Sequence, residues 1–297
     1  MPLSSSIPPA ISAALHRVEP DAQFIRTGSS QAQSSTSNRS YFVKQGSSGG
    51  SDMEQYRGEA ESLRSMHAAC PGICPIVFES SVDPATKQPV FISEFKKIGS
   101  LNKHSAAALG RSLAEMHNKG KSPDGRFGFD VPTYCGATRM RNGWSKTWAE
   151  AYDKMIGDLL ETLRYTGQFD DTCRLGEEVR KRVIPHLLGS LNIKPSLLHG
   201  DLWSGNAGTD YNTGNPVIFD PSSYYGHNEA DLSIARIFGG FPPSFFAAYH
   251  EQIPPSEPVN EYGQRAALYE LFHYLNHTAL FGVSFPPSIR CYDLQPR

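Results

Sequence analysis

Between Leu197 and Asp220 the chain reads Leu-Leu-His-Gly-Asp-Leu-Trp-Ser-Gly-Asn and then runs to Pro216-Val217-Ile218-Phe219-Asp220. This places three oxygen-bearing side chains, Asp201, Asn206 and Asp220, in separate stretches. In the phosphoryl-transfer pattern His-Arg-Asp-x-x-x-x-Asn, the Asp accepts the proton of the attacking hydroxyl and the Asn, five positions on, holds a magnesium ion. His199-Gly200-Asp201 and Asn206 keep that spacing, with Gly in place of Arg. The strand-like run then delivers Asp220 where a second metal-holding carboxylate belongs, and Pro221 sets the φ of the turn that follows. An Asp beside a Gly is commonly a turn residue or a helix N-cap. Here the company of His199, Asn206 and Asp220 marks a catalytic loop instead.

Transferring a phosphoryl group needs positioning and charge neutralisation more than covalent chemistry, so a cation must converge on the same centre from elsewhere in the chain. Lys44 ends the strand-like run Ser40-Tyr41-Phe42-Val43-Lys44, and Gln45 to Ser51 is a Gly/Ser linker. Met53, Tyr56, Ala60, Leu63 and Met66 then recur at helical spacing, predicting an amphipathic helix over 53–69 that stops before Pro71. Glu59 lies on that helix, one turn from Leu63, and faces the interior where it can pair with Lys44. Glu61 lies about 160° further round and is expected in solvent.

Strands are expected at Ile76–Glu79 and Val90–Phe95, which completes a small β-rich lobe ending near residue 98. After Gly99 the pattern turns helical. One stripe runs through Ala106, Leu109, Leu113 and Met116, a second through Trp148, Tyr152, Met155, Leu159 and Leu163. A third passes through Leu175, Val179, Val183 and Leu187 with Pro185 disturbing its end, and a last one through Leu268, Leu271, Phe272, Leu275 and Ala279. The expected fold is α+β and bilobal: residues 1–98 form a nucleotide-binding lobe and 99–297 a mainly helical catalytic lobe.

Composition narrows the partners. A net charge of −2 with 20% charged residues offers no basic patch for nucleic acid or an anionic membrane. The start, Met1-Pro-Leu-Ser-Ser-Ser-Ile-Pro-Pro, lacks a basic n-region and a long apolar stretch, and no apolar run of about 18 residues occurs. A cytoplasmic, monomeric protein is the expectation. Cys70, Cys74, Cys135, Cys173 and Cys291 are odd in number and scattered, so free thiols are expected, and Cys70-Pro-Gly-Ile-Cys74 has no second pair at metal-ligand spacing. Asn206 and Asp220 offer hard oxygens suited to Mg²⁺, whereas zinc would want Cys or His clusters, which the sequence does not display. His199 reads as a prop for the catalytic loop, since the base role falls to the Asp.

Three further segments need assignment. Ser29, Ser30, Ser34, Ser35 and Ser37 precede the Lys44 strand where a Gly-rich phosphate lid would lie, yet only Gly28 is present, so a Ser-rich lid and a surface hairpin both stand. Glu94-Phe95 ends the last strand of the small lobe and is the candidate hinge whose backbone would hydrogen-bond adenine. Gly46-Ser47-Ser48-Gly49-Gly50 matches the Gly-x-Ser-x-Gly of serine hydrolases, but a low-complexity linker accounts for it better.

From Leu197 to Phe246 the match becomes closer than any general pattern. Leu-Leu-His-Gly-Asp-Leu-Trp-Ser-Gly-Asn, Phe-Asp-Pro-Ser-Ser-Tyr-Tyr-Gly-His and Phe-Gly-Gly-Phe-Pro-Pro-Ser-Phe-Phe resemble segments of the fructosamine/ketosamine 3-kinase family. So do Arg57-Gly58-Glu59-Ala60-Glu61-Ser62-Leu63, Phe127-Gly128-Phe129, and Cys135-Gly136 followed by Asn142-Gly143-Trp144 and Trp148. The resemblance implies a protein-kinase-like fold, similar to that of aminoglycoside phosphotransferases. It also implies ATP-dependent phosphorylation of the sugar 3-hydroxyl of ketosamines on glycated proteins or free amines, after which the phosphate ester decomposes and frees the amine. Carried over, the base falls on Asp201, the metal ligands on Asn206 and Asp220, and the phosphate-contacting pair on Lys44 and Glu59. Trp203 offers a flat apolar face to the sugar, and Tyr225, His227 and Asn142 are weaker candidates for pocket walls. Asp231 reads as a helix N-terminal charge or a support for the catalytic loop. The family's lid is richer in glycine and in some members carries a cysteine for redox-linked dimerisation, whereas residues 26–44 hold no Cys. A kinase for another hydroxyl, of the aminoglycoside or choline type, and a nucleotide-binding pseudokinase remain alternatives.

Overall fold

The computed structural model describes residues 6–282; Cys291 and the end of the expected second lobe lie outside the described residues. Helix α1 (Pro9–Val18) precedes strands β1 (Phe24–Gly28), β2 (Gln31–Ser34) and β3 (Ser40–Gln45). Helix α2 (Asp52–Ala69), β4 (Val77–Val82) and β5 (Pro89–Glu94) follow, and the five strands form an antiparallel sheet in the order β1-β2-β3-β5-β4. Along β3 the side chains alternate between the two faces of this sheet. Tyr41 and Val43 pack with Ala10, Ile11, Ala14 and Leu15 of α1 and with Val90 and Ile92 of β5, in a core of their own. Phe42 and Phe91 face the other way and join the larger core that begins at α2. Lys44 shares that second face, so strand period alone aims its ammonium group at α2.

The chain crosses over at β6 (Ile98–Gly99), which pairs with β10 (Ala207–Asp210), itself paired with β11 (Pro216–Ile218). Lys96 ties the junction from its side chain, with Nζ 2.7 Å from Glu94 and 3.4 Å from Asp210. Helix α3 (Lys103–Lys119) starts at a capping box, where Asn102 Oδ1 accepts from the His104 and Ser105 amides at 2.9 Å each. A hairpin, β7 (Thr133–Cys135) and β8 (Thr138–Met140), leads to α4 (Trp148–Thr166), which Thr147 and Glu150 cap in the same way. Helix α5 (Asp170–Glu178) continues through a π-turn at Val179–Val183 into α6 (Ile184–Leu188), and Pro185 sits at the start of that last segment. Val179 and Leu187 of the third stripe are buried, whereas Leu175 is exposed and Cys173 and Gly176 turn inward in its place.

The remaining elements are β9 (Ser196–Leu198), paired with β12 (Tyr224–Gly226), then α7 (Ser233–Ile237), α8 (Pro243–His250) and α9 (Tyr262–Phe281). Leu268, Phe272 and Leu275 of α9 are buried, as the last stripe predicts. The segment that carries Asp201 and Asn206 lies between β9 and β10, so two short antiparallel pairs hold both of its ends. Among the described residues no helix is long and apolar enough to cross a membrane, and Cys70, Cys74, Cys135 and Cys173 are free thiols. Gly46 to Gly50 forms the connection between β3 and α2, closed by the Ser47 amide donating to Asp52 Oδ2 at 2.7 Å.

Candidate active site

The loop that carries Asp201 begins at His199, which is fully buried. Its Nε2–H donates to the Phe219 carbonyl at 3.0 Å, and Nδ1 accepts from the Asp201 amide at 3.2 Å. The ring therefore braces the loop against the segment that carries Asp220 and does not reach into the cleft. Gly200 follows with φ +83°, and a Cβ at this position would stand 2.0 Å from the Ser222 carbonyl oxygen. No residue with a side chain fits, which is the physical reason that Gly replaces the Arg of the general pattern.

Asp231 lies beneath this loop, fully enclosed. Its Oδ2 accepts from the His199 amide and its Oδ1 from the Gly200 amide, both at 2.8 Å, while His117 Nε2 lies 3.1 Å from Oδ2. Burial works against this carboxylate, but the hydrogen bond and charge of His117, with His199 behind them, outweigh it and hold its pKa below the ordinary value. Asp231 is thus a support for the loop, the second of its two sequence readings.

Asp201 emerges from this scaffold at the cleft. Burial is the main cause that pushes its carboxyl up to about 6, reinforced by the negative charge of Asp220 and opposed by a hydrogen bond from the Cys135 thiol. Asn206 sits on a short 3-10 turn, Ser204–Asn206, and its Nδ2 donates to the Asp201 carbonyl at 3.0 Å. That commitment of the amide nitrogen leaves the amide oxygen as a ligand atom. Across the cleft Lys44 Nζ stands 2.9 and 2.8 Å from the two Glu59 oxygens and 3.1 Å from Asp220 Oδ1. Burial alone would lower the pKa of Lys44, yet the charges of Glu59 and then Asp220 more than reverse that effect, so the ammonium stays charged. The rings of Phe42 and Phe91 lie 5.4 and 5.6 Å from Nζ and fix its approach. Asp220 is half exposed and adopts φ +51°, a left-handed conformation uncommon outside glycine. Glu61 pairs with Arg64 at the surface.

Lys44, Glu59, Asp201, Asn206 and Asp220 thus line one cleft of about 310 Å³, with Trp203 and Pro221 at its edge. Asn206 and Asp220 present an amide oxygen and a carboxylate, the hard donors that Mg²⁺ takes alongside phosphate oxygens and water. Trp203 lies flat over Gly205, where a Cβ would meet the indole at 2.2 Å. It also borders a second cavity of about 290 Å³, shared with Cys135, Gly136, Asp201, Phe238, Asn276 and His277. Phe238 meets Trp203 edge to face at 6.4 Å and stacks on His277 at 4.9 Å. Asp201 therefore sits between a charged cleft and an aromatic-walled one.

Three of the candidate wall residues stand away from the cleft. His227 is fully buried, bonded to Tyr269 Oη at 2.7 Å and Ser256 Oγ at 2.9 Å, and so belongs to the core. Asn142 and Tyr225 line a separate cavity of about 210 Å³ that contains none of the five cleft residues. Asn142 Nδ2 donates to Val131 O at 3.1 Å and Thr133 Oγ1 at 2.7 Å, and Tyr225 stacks on Trp144 at 6.1 Å, so both serve packing. Glu94 and Phe95 stand at the lobe junction, but their N–H groups already donate to Ile76 O at 2.8 Å and Ser40 O at 3.3 Å. Their carbonyls remain as acceptors, so any N–H donor to the cleft from this stretch would come from beyond Phe95. The serine-rich segment spans the β1–β2 turn, which Arg26 closes by donating to Gly28 O at 3.0 Å and Ser29 O at 2.9 Å, then β2 and the β2–β3 turn.

Sequence reasoning passed over Phe238, Asn276 and His277 as site residues. Phe238 and Cys135-Gly136 fall in family-like segments, the one signal available for them, and nothing in the sequence marks Asn276 or His277.

Comparison with known proteins agrees with this geometry. The family model described as fructosamine kinase matches residues 14–290. The chloroplastic protein-ribulosamine 3-kinase of Arabidopsis thaliana is 40% identical over 84% of this chain and 73% of its own. The ketosamine-3-kinase of Mus musculus is 36% identical over 69% of this chain and 71% of its own. Among solved structures, a candidate fructosamine-3-kinase from Thermobifida fusca superposes with a TM-score of 0.76 at 24% identity, covering 96% of each chain. An aminoglycoside phosphotransferase solved with AMP-PNP and hygromycin B superposes with a TM-score of 0.60 at 14% identity, over 93% of each chain. These two likenesses establish the protein-kinase-like fold.

Proposed function

The chain belongs to the fructosamine kinase family, and on that premise we propose that it is an ATP-dependent kinase for the 3-hydroxyl of ketosamines, ribulosamines or fructosamines, on glycated amines or proteins. The observation that carries the reading is the meeting of Lys44, Glu59, Asp201, Asn206 and Asp220 around one cleft. Residues 1–98 then act as the nucleotide-binding lobe and 99–297 as the catalytic one.

In this mechanism Asp201, ionised above about pH 6, orients the acceptor hydroxyl and takes its proton as the oxygen attacks the γ-phosphorus, whose bond to the β,γ-bridging oxygen breaks to release ADP. Lys44, held by Glu59, steadies the nucleotide phosphates. Asn206 and Asp220 are the residues that would hold Mg²⁺, which when bound supplies charge neutralisation at the phosphate oxygens. The sugar sits against Trp203, in the cavity that Phe238 and His277 wall, one side of Asp201 from the nucleotide. Among the described residues that wall is aromatic and carries no acidic cluster, which disfavours a polycationic aminoglycoside as acceptor. We place the protein in the cytoplasm as a monomer, although the Arabidopsis relative is named chloroplastic; fractionation and light scattering test those two points.

The direct test incubates the protein with Mg-ATP and a ribulosyl-lysine or fructosyl-lysine peptide and weighs the products. Gain of one phosphate, followed by return to the unglycated peptide mass, is expected. Phosphorylation of choline or an aminoglycoside but of neither ketosamine would overturn the substrate assignment, and Mg-ATP binding without turnover on any acceptor would make the protein a nucleotide-binding module.

A further inference from the structure

Behind the proposed base the fold assembles a donor set that no local spacing announces. Cys135 from the end of β7, Asp201 from the catalytic loop and His273 from α9 each bring one ligand atom within 4.8 Å of the others. The thiol and the imidazole are buried, while Asp201 is open to both cavities. His273 is only 5% exposed, and its Nδ1 has no hydrogen-bond partner. A buried imidazole nitrogen left without a partner among the described residues is uncommon in a folded protein. Asn276, one turn further along α9, donates from Nδ2 to the Cys135 sulfur at 3.3 Å, a contact that would steady a thiolate.

We propose that Cys135, Asp201 and His273 form an inhibitory site for a borderline-soft divalent cation, zinc above all, distinct from the magnesium position at Asn206 and Asp220. The chemistry of the donors decides between the metals. A thiolate, an imidazole and a carboxylate match the nitrogen, sulfur and oxygen set of tetrahedral zinc, with the fourth position left to water, whereas magnesium avoids sulfur. Zinc bonds of about 2.0–2.3 Å put tetrahedral donors about 3.3–3.8 Å apart, so the three atoms need to close by about 1 Å. The aromatic-walled cavity, bordered by Cys135 and Asp201 themselves, supplies the entry path. On binding, the cysteine gives up its proton to solvent and the metal takes an oxygen of Asp201. An acceptor hydroxyl then meets a carboxylate already engaged. That inhibition rests on the base role of Asp201; the metal site itself does not.

The test separates the two. Cobalt(II) added to the full chain serves as the optical probe, and free zinc, set with a metal buffer under excess Mg-ATP, is titrated into the kinase assay. A thiolate-to-cobalt absorption band is expected that Cys135→Ser removes and His273→Gln weakens, with Asn206→Ala leaving it in place. Zinc inhibition is expected to compete with the ketosamine, to reverse with a chelator, and to need at least about tenfold more free zinc in Cys135→Ser, each variant being compared with its own zinc-free rate. Thermal melts confirm that each variant is folded, and should Cys135→Ser fail to fold, Cys135→Ala replaces it. Absence of the band in the wild type, or its persistence in folded Cys135 and His273 variants, overturns the site. A band that depends on Cys135 without any loss of kinase rate upholds the metal site and overturns the base role of Asp201.

Discussion

Gly200→Ala is the substitution whose consequence the structure specifies most closely. The added methyl would stand 2.0 Å from the Ser222 carbonyl oxygen and 2.8 Å from its carbon. Cβ contacts below 3.0 Å essentially do not occur, so the loop or the Ser222 backbone must move by about 1 Å, against a carboxylate that grips both loop amides from below. A left-handed backbone adds about 1–2 kcal/mol for a residue with a Cβ. The next residue is Asp201, and a displacement of about 1 Å at a reacting group typically lowers turnover about a hundredfold, or about 2.7 kcal/mol in the barrier. The ATP-side contacts of Lys44 with Glu59 come from other elements and should survive. Steady-state kinetics on the purified variant should therefore show kcat down about a hundredfold with the KM for ATP changed less than about threefold, and a melting temperature lowered by several degrees. A folded variant with kcat within a factor of two of the parent would refute the argument that this glycine sets the position of the base.

Asp201→Asn should keep nucleotide binding, followed by thermal shift with Mg-ATP, while lowering kcat by about 10²–10⁴-fold; unchanged turnover would remove Asp201 from the base role. Because burial raises the carboxyl of Asp201 to about 6 and the ionised form is the base, kcat/KM should fall as pH drops below 6 and level off above it, and a rate independent of pH from 5 to 7 would contradict this. Lys44→Met should raise the KM for ATP at least about tenfold and destabilise the fold by leaving the Glu59 carboxylate buried and unpaired. The double variant with Glu59→Leu should regain stability but not activity, as denaturation and kinetics on the pair will show. His273 and His227 are held neutral, with pKa values pushed down by burial to about 3 and about 4. The unfolded chain binds protons at these residues first, so their contribution to stability is complete above about pH 6.5 and declines as pH falls toward those values. Denaturant midpoints measured from pH 7 to pH 5 should decrease, less so in His227→Gln.

Much of the candidate site was legible because it follows from periodicities. Lys44 and Glu59 are linked by the alternation of one strand and the turn of one helix, and Asp201 and Asn206 by one loop. Phe238, His277, Asn276 and His273 were not legible as site residues, since they reach Asp201 only when α9 packs against the β7–β8 hairpin and the segment after α7 meets Trp203 and His277. No local spacing encodes such a meeting, and the zinc-type donor set judged absent from the linear sequence exists only in three dimensions. His227, Asn142 and Tyr225 are wall candidates only on the strength of the family-like segments that contain them. Burial of His227 in the helical core and the separate pocket around Tyr225 reverse that, as the pairing of β12 with β9 carries them away from the cleft. Helix α1 went unrecognised since its apolar set, Ala10, Ile11, Ala14 and Leu15, is short and begins among prolines and serines.

The two-faced character of β3 has an evolutionary corollary. With Tyr41 and Val43 committed to one core and Phe42 and Lys44 to the other side, a single inserted or deleted residue ahead of Lys44 would exchange the two sets, sinking an ammonium group among aliphatic side chains and presenting valine to the nucleotide. Descendants of this sequence can revise that strand by replacement only, and any drift in length must be taken up in the glycine-serine connection behind it.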